Sequence, residues 1–113
     1  KVPTTCIAFS AGASAAWRAQ LLTGNTHLKK LIGFYPSQIS NYLALDANVP
    51  CEFIFPESES HFNVDEVIKA LSTKASVKCY KTNFLHGFMN EYSTNFDAQG
   101  LVEYSNYIKQ SSR

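Results

Sequence analysis

Four short apolar, β-prone runs recur along this chain, separated by stretches with the character of helices and polar turns. The runs are Val2–Phe9, Leu28–Tyr35, Val49–Phe55 and Ser76–Tyr80. Ala11–Leu22 lies between the first two; it is rich in alanine and is stopped by Gly24-Asn25, which predicts a helix with Trp17 and Leu21 facing inward. Asn63 stands three residues before Glu66, the spacing of a capping box. It opens a second helix that carries Val67, Ile68 and Leu71 and runs to about Thr73. Ala98–Gln110 predicts a last helix, with Leu101, Tyr104, Tyr107 and Ile108 on one face and Gly100 as a weak point within it. Tyr42–Leu45 suits a brief additional helix. Strands that alternate with helices cannot be closed by hairpins; they need crossovers. The fold class is therefore α/β, a mostly parallel four-stranded sheet with flanking helices, in one unit spanning residues 1–113.

Charge and composition narrow the function. The 113 residues are 45% hydrophobic with a net charge of +1, and the ten Lys and Arg are scattered without a run. Nothing there marks a nucleic-acid or anionic-membrane partner, and no apolar stretch approaches the roughly 20 residues of a membrane span. The three cysteines, Cys6, Cys51 and Cys79, all fall in apolar strand-like runs. An odd number of such residues reads as buried free thiols of a reducing compartment, which suits a cytoplasmic protein. No C-x-x-C or H-x-x-x-H spacing offers a metal site, so no metal is expected. The chain begins at Lys1 with a strand at once, which reads as a piece of a longer protein.

Chemistry concentrates where the first run ends. In Cys6-Ile7-Ala8-Phe9-Ser10-Ala11-Gly12-Ala13-Ser14-Ala15-Ala16 an apolar strand stops at Phe9, a serine follows, and small residues continue into a helix. A nucleophile elbow has this form: a sharp strand-to-helix turn that presents a hydroxyl. The residues two before and two after the serine, Ala8 and Gly12, are small, as the crowding at such a turn demands. The backbone N–H of Ala11, at the helix start, would face a developing oxyanion. The same residues also suit a plain connection in which Ser10 merely caps the helix.

A nucleophilic serine needs a base, and the base needs an orienting acid. Parallel strands gather such groups at their carboxyl ends. Glu57-Ser58-Glu59-Ser60-His61 follows the third strand, and His86 lies in the loop after the fourth. The order serine, acid, histidine is that of the α/β-hydrolases. His27 reads as an exposed loop residue and His61 as a residue at the helix entry. The aromatics Phe9, Tyr35, Phe62 and Phe88 fall beside the candidate site, where core packing and substrate contact explain them equally.

AFSAGASAAW, LIGFYPS, VPCEFIFPESESHF and KCYKTNFLHGFMN together resemble the C-terminal half of a dienelactone hydrolase-like α/β-hydrolase. They correspond in order to that family's elbow, its next strand, its Pro-led strand with the acid turn, and its His-Gly-Phe loop. The resemblance covers the chain to about Asn90 and implies Ser10 as nucleophile, His86 as base and Glu59 as acid, with the Ala11 N–H in the oxyanion hole. Glu57 is the competing acid and Asp65 a distant third. Three positions depart from the family pattern. Serine stands where the namesake enzymes carry cysteine, a Pro56-Glu57-Ser58-Glu59 turn replaces the usual Gly-x-x-Asp, and Ala8 replaces a glycine.

The resemblance implies a serine hydrolase of small carboxylic esters or lactones, working through an acyl-enzyme on Ser10 without a cofactor. The alternative is a hydrolase-fold protein or fragment with a binding or assembly role. As half of such a fold, the chain is expected to present Thr4–Phe9 as a sheet edge. That edge invites pairing with a second copy or with the other half, and the isolated piece is expected to be feebly active.

Overall fold

The computed structural model describes residues 4–22 and 28–112. Its elements are strand β1 (Thr4–Phe9), helix α1 (Ala11–Leu22), strand β2 (Leu28–Phe34), a short 3-10 helix at Ile39–Tyr42, strand β3 (Cys51–Phe55), helix α2 (Val64–Ser72), strand β4 (Val77–Lys81) and helix α3 (Ala98–Ser111). Val2, Pro3, the Gly24-Asn25 stop and His27 lie outside the described residues.

The strands pair in chain order, β1-β2-β3-β4, and every pair is parallel. The α/β class with four parallel strands is thus the observed one. Each crossover steps to the next strand in the same direction, so connections of one hand stay on one face. Side-chain alternation shows the two faces. Leu31, Cys51, Phe53, Phe55 and Val77 point toward α1 and α2, where they bury Trp17, Val67 and Leu71. Ile32, Phe34 and Ile54 point the other way and are covered by Phe88 together with Tyr104, Tyr107 and Ile108 of α3. A sheet covered on both faces needs nearly continuous apolar strands, which is why CEFIF and LIGF show so little polar alternation.

Trp17 is fully buried and meets Phe53 edge-on at 5.5 Å between centroids. Its Nε1–H donates to the Tyr42 carbonyl at 3.0 Å, which ties α1 to the β2–β3 connection. Leu21, by contrast, is only half-buried. Asn63 caps α2 as expected: its side-chain oxygen accepts from the Glu66 N–H at 3.0 Å. Asp97 does the same for α3, accepting from the Gly100 N–H at 2.9 Å.

Three expectations need correction. The brief helix runs over Ile39–Tyr42, not Tyr42–Leu45, because Gln38 at φ 60° turns the chain before it and starts the helical turn early. Gly100 is no weak point in α3. It is buried, and a Cβ there would lie 2.8 Å from Phe88 Cδ2, so the missing side chain is what lets α3 sit on the Phe88 ring. The cysteines are free but unequally covered, with Cys51 buried and Cys6 and Cys79 half-buried, since Cys6 and Cys79 lie on the two outer strands. Burial pushes the Cys51 thiol up to about 12 and the Cys79 thiol up to about 11, the latter held back by a hydrogen bond with Ser72.

Helix α3 is also held to the sheet by polar contacts. Glu52 on β3 pairs with Lys30 on β2 at 2.9 Å and accepts a hydrogen bond from the Tyr107 hydroxyl. Lys30 Nζ donates in addition to the Ser111 carbonyl at 2.9 Å. Among the described residues no helix is long and apolar enough to cross a membrane.

Candidate active site

All four strands run the same way, so their carboxyl ends share one rim of the sheet. Ser10 follows β1 directly, Glu59 lies in the turn after β3, and His86 lies in the loop after β4. The rim brings these three together. Ser10 Oγ lies 2.9 Å from His86 Nε2, and His86 Nδ1 lies 2.7 Å from Glu59 Oε2. The Glu59 side chain is 11% exposed and that of His86 34%, so the carboxylate is sheltered while the imidazole borders the open side.

Ser10 sits at φ 53°, a left-handed conformation that costs a non-glycine residue energy and is typical of a nucleophile elbow. Its backbone is fixed on both sides. The Ser10 N–H donates to the Phe34 carbonyl at 2.9 Å, and its own carbonyl accepts from Ala13 and Ser14 in the first turn of α1. Ala11 opens that helix, so its N–H lies ahead of the first bonded donors of α1, the Ala13 and Ser14 N–H groups on the Ser10 carbonyl. The crowding expected at Gly12 is not observed. Gly12 faces outward from α1, and a Cβ on it would meet no described atom within 4 Å.

Of the competing acids, Glu57 is exposed and Asp65 pairs with Lys81 at 3.0 Å. Glu57 contributes through its backbone instead. Its N–H donates to the Phe84 carbonyl at 2.7 Å, which joins the acid turn to the histidine loop. His61 is exposed.

The histidine loop is braced from within. Asn95 Nδ2 donates to the His86 carbonyl at 2.9 Å. Gly87 adopts φ 88°, a region L-residues avoid, and a Cβ there would lie 2.7 Å from Ser93 Oγ. Phe88, fully buried against Phe84 and Tyr104, anchors the loop to α3. Tyr35 supports the imidazole directly, with ring centroids 4.8 Å apart, and leaves the end of β2 at φ 34°. Burial raises the Tyr35 hydroxyl above its usual range, partly offset by a hydrogen bond with the Met89 backbone.

Over the serine lies a cleft of about 510 Å³ lined by Phe9, Tyr35, His86, Met89, Asn90 and Ser93, among others. No lysine, arginine or carboxylate is among these lining residues. Of the four aromatics expected beside the site, Phe9 and Tyr35 line the cleft and Phe88 supports it from below. Phe62 packs with the core on the opposite face of the sheet, because its chain has already turned toward α2. Sequence reasoning missed Ser37, whose Oγ lies 3.3 Å from Ser10 Oγ, and Asn95. Neither carries a local motif. The double bend that delivers Ser37 was hinted at only by Pro36.

A parallel α/β fold of this kind is shared with a protein already known. The structure superposes with TM-score 0.71 on a crystal structure from Klebsiella pneumoniae subsp. pneumoniae, provisionally assigned as a dienelactone hydrolase. The match covers 93% of this chain and 50% of that one at 16% identity, a likeness of fold. In sequence, the chain is 31% identical over 108 residues to an uncharacterized protein of Bacillus subtilis, YczH, covering 94% of this chain and 52% of that protein. The chain thus spans about half the length of the relatives it matches. No family model matches it.

Proposed function

We propose that the protein is a serine hydrolase of small carboxylic esters or lactones, with Ser10 as nucleophile, His86 as base, Glu59 as the orienting acid and the Ala11 N–H as an oxyanion donor. The single observation that carries this reading is the continuous line from Glu59 Oε2 through His86 to Ser10 Oγ, at 2.7 and 2.9 Å. Each separation falls within the range a nucleophile and its base require.

In this reading the Glu59 carboxylate accepts the Nδ1–H of His86 and so fixes the tautomer, leaving Nε2 free to take the Ser10 proton. Ser10 Oγ attacks the carbonyl carbon, and charge moves to the carbonyl oxygen near the start of α1, where the Ala11 N–H and the helix dipole favour it. His86 returns the proton to the leaving alkoxide, giving an acyl-enzyme on Ser10. Water, deprotonated by the same imidazole, then releases the acid. The neutral, largely apolar cleft suits an uncharged acyl group; an anionic one would find no countercharge on its lining residues.

A fluorophosphonate probe and a p-nitrophenyl acetate assay test the proposal together. The expected result is stoichiometric labelling and hydrolysis, both abolished in Ser10→Ala. A folded protein that takes up no label and hydrolyses no ester would overturn it in favour of a binding or assembly role for the same fold.

A further inference from the structure

We propose that Ser37 is a second hydroxyl of the reacting centre, donating its proton to Ser10 Oγ; this rests on the reading of Ser10 as the nucleophile. The protons of the site can be placed one at a time. His86 Nδ1 faces the Glu59 carboxylate at 2.7 Å, so the ring proton resides there and Nε2 is an acceptor. Ser10 has one hydroxyl proton, and its contact at 2.9 Å with that Nε2 uses it. Ser10 Oγ has a further neighbour, Ser37 Oγ at 3.3 Å, and the proton on that contact is supplied by Ser37.

The backbone around Ser37 is bent to reach this place. Tyr35 at φ 34° and Gln38 at φ 60° are both left-handed without being glycine, and they bracket Pro36-Ser37. Strained residues of this kind persist where their surroundings hold them and collect at functional sites. Here the surroundings are the elbow itself. The Ser37 N–H donates to the Ser10 carbonyl at 3.3 Å, and the Ser37 carbonyl accepts from the Ser14 hydroxyl on α1. The Ser37 hydroxyl does not cap the 3-10 helix that follows; Gln38 holds the cap position and makes no side-chain cap bond.

Chemically, Ser37 does two things. It fixes the Ser10 side chain with its proton toward Nε2 and a lone pair toward the cleft. It also stabilises the negative charge that builds on Oγ as the proton leaves, because a hydrogen bond to an oxygen gaining charge shortens and strengthens. Ser37 keeps its own proton throughout; the proton lost by Ser10 goes to His86, and the bond formed is between Ser10 Oγ and the acyl carbon.

Both anchoring contacts of Ser37 use its backbone, so Ser37→Ala removes the hydroxyl and leaves the bend in place. The expected result is a fall of about ten- to a hundredfold in kcat and in the fluorophosphonate labelling rate, with KM nearly unchanged. Ser37→Thr restores most of the rate, which a merely structural serine would not require. Circular dichroism melting identifies whether each variant is folded, and Ser37→Cys, with a weaker donor, gives a second intermediate point. Labelling of wild type that Ser37→Ala leaves unchanged overturns this proposal alone. Absence of labelling in wild type overturns both this proposal and the hydrolase reading.

Discussion

Glu59 Oε2 and His86 Nδ1 lie 2.7 Å apart although 27 residues separate them, and the pair forms where the turn after β3 meets the loop after β4. Two carboxylates compete for that place in the sequence. The structure separates them, since Glu57 is exposed while its backbone N–H ties down Phe84. The turn therefore presents its second glutamate, not its first, to the imidazole.

If Glu59 orients His86, Glu59→Gln lowers kcat for p-nitrophenyl acetate by about 10³-fold or more, since a neutral amide favours the wrong tautomer and stabilises no imidazolium. Glu57→Gln leaves kcat within a factor of about two, as expected for an exposed side chain. The two rates, measured side by side, decide the acid. Equal losses in both variants would sink the assignment.

Gly100→Ala sets helix propensity against packing. Alanine in place of glycine favours a helix by about 1 kcal/mol, but the added Cβ would lie 2.8 Å from the ring of Phe88, which is fully buried. Overpacking of this kind costs about 1–3 kcal/mol, so the melting temperature is expected to fall. Phe88 is two residues from His86, so hydrolysis should fall with it. A rise in melting temperature would show that α3 moves away freely.

Glu52 governs part of the response to acid. Burial works against its ionisation, but the hydrogen bonds from Lys30 and Tyr107 and the charges of Lys30 and Lys78 outweigh burial and hold its carboxyl below the usual range. A carboxyl depressed in the folded state contributes stability above its unfolded value, about 4.3 for glutamate, and loses it as pH falls through the folded value. Urea unfolding of wild type should therefore weaken more between about pH 5 and 3 than that of Glu52→Gln. The loosening should begin at α3, which Glu52 and Lys30 hold. Parallel pH slopes for the two proteins would contradict this.

β1 stands at the end of the sheet among the described residues, with Ile7 and Phe9 37% and 41% exposed. An apolar edge without a lysine to block it is a template for another strand. A preparation of these 113 residues is expected to self-associate, one copy pairing with a second along β1. Light scattering after size exclusion should return twice the chain mass, and Ile7→Lys should return the single mass. A monomeric wild type would refute this pairing.

The sequence by itself determined the alternation of strands and helices, because parallel strands covered on both faces must be apolar and their crossovers must be helical. It also determined the step from strand to helix at Ser10, the Asn63 cap and the placing of Ser10, Glu59 and His86 after the first, third and fourth strands, since these depend on neighbours within a few positions. Only the tertiary structure decided which glutamate meets the histidine. That depends on how two loops are tied across the rim by the Glu57–Phe84 backbone bond. It likewise decided that Gly100 is a contact surface for Phe88, that Phe62 belongs to the opposite face, and that Ser37 reaches Ser10 from 27 residues away. Those are properties of distance in space, set by the order of strands and by two left-handed residues that no local pattern announces.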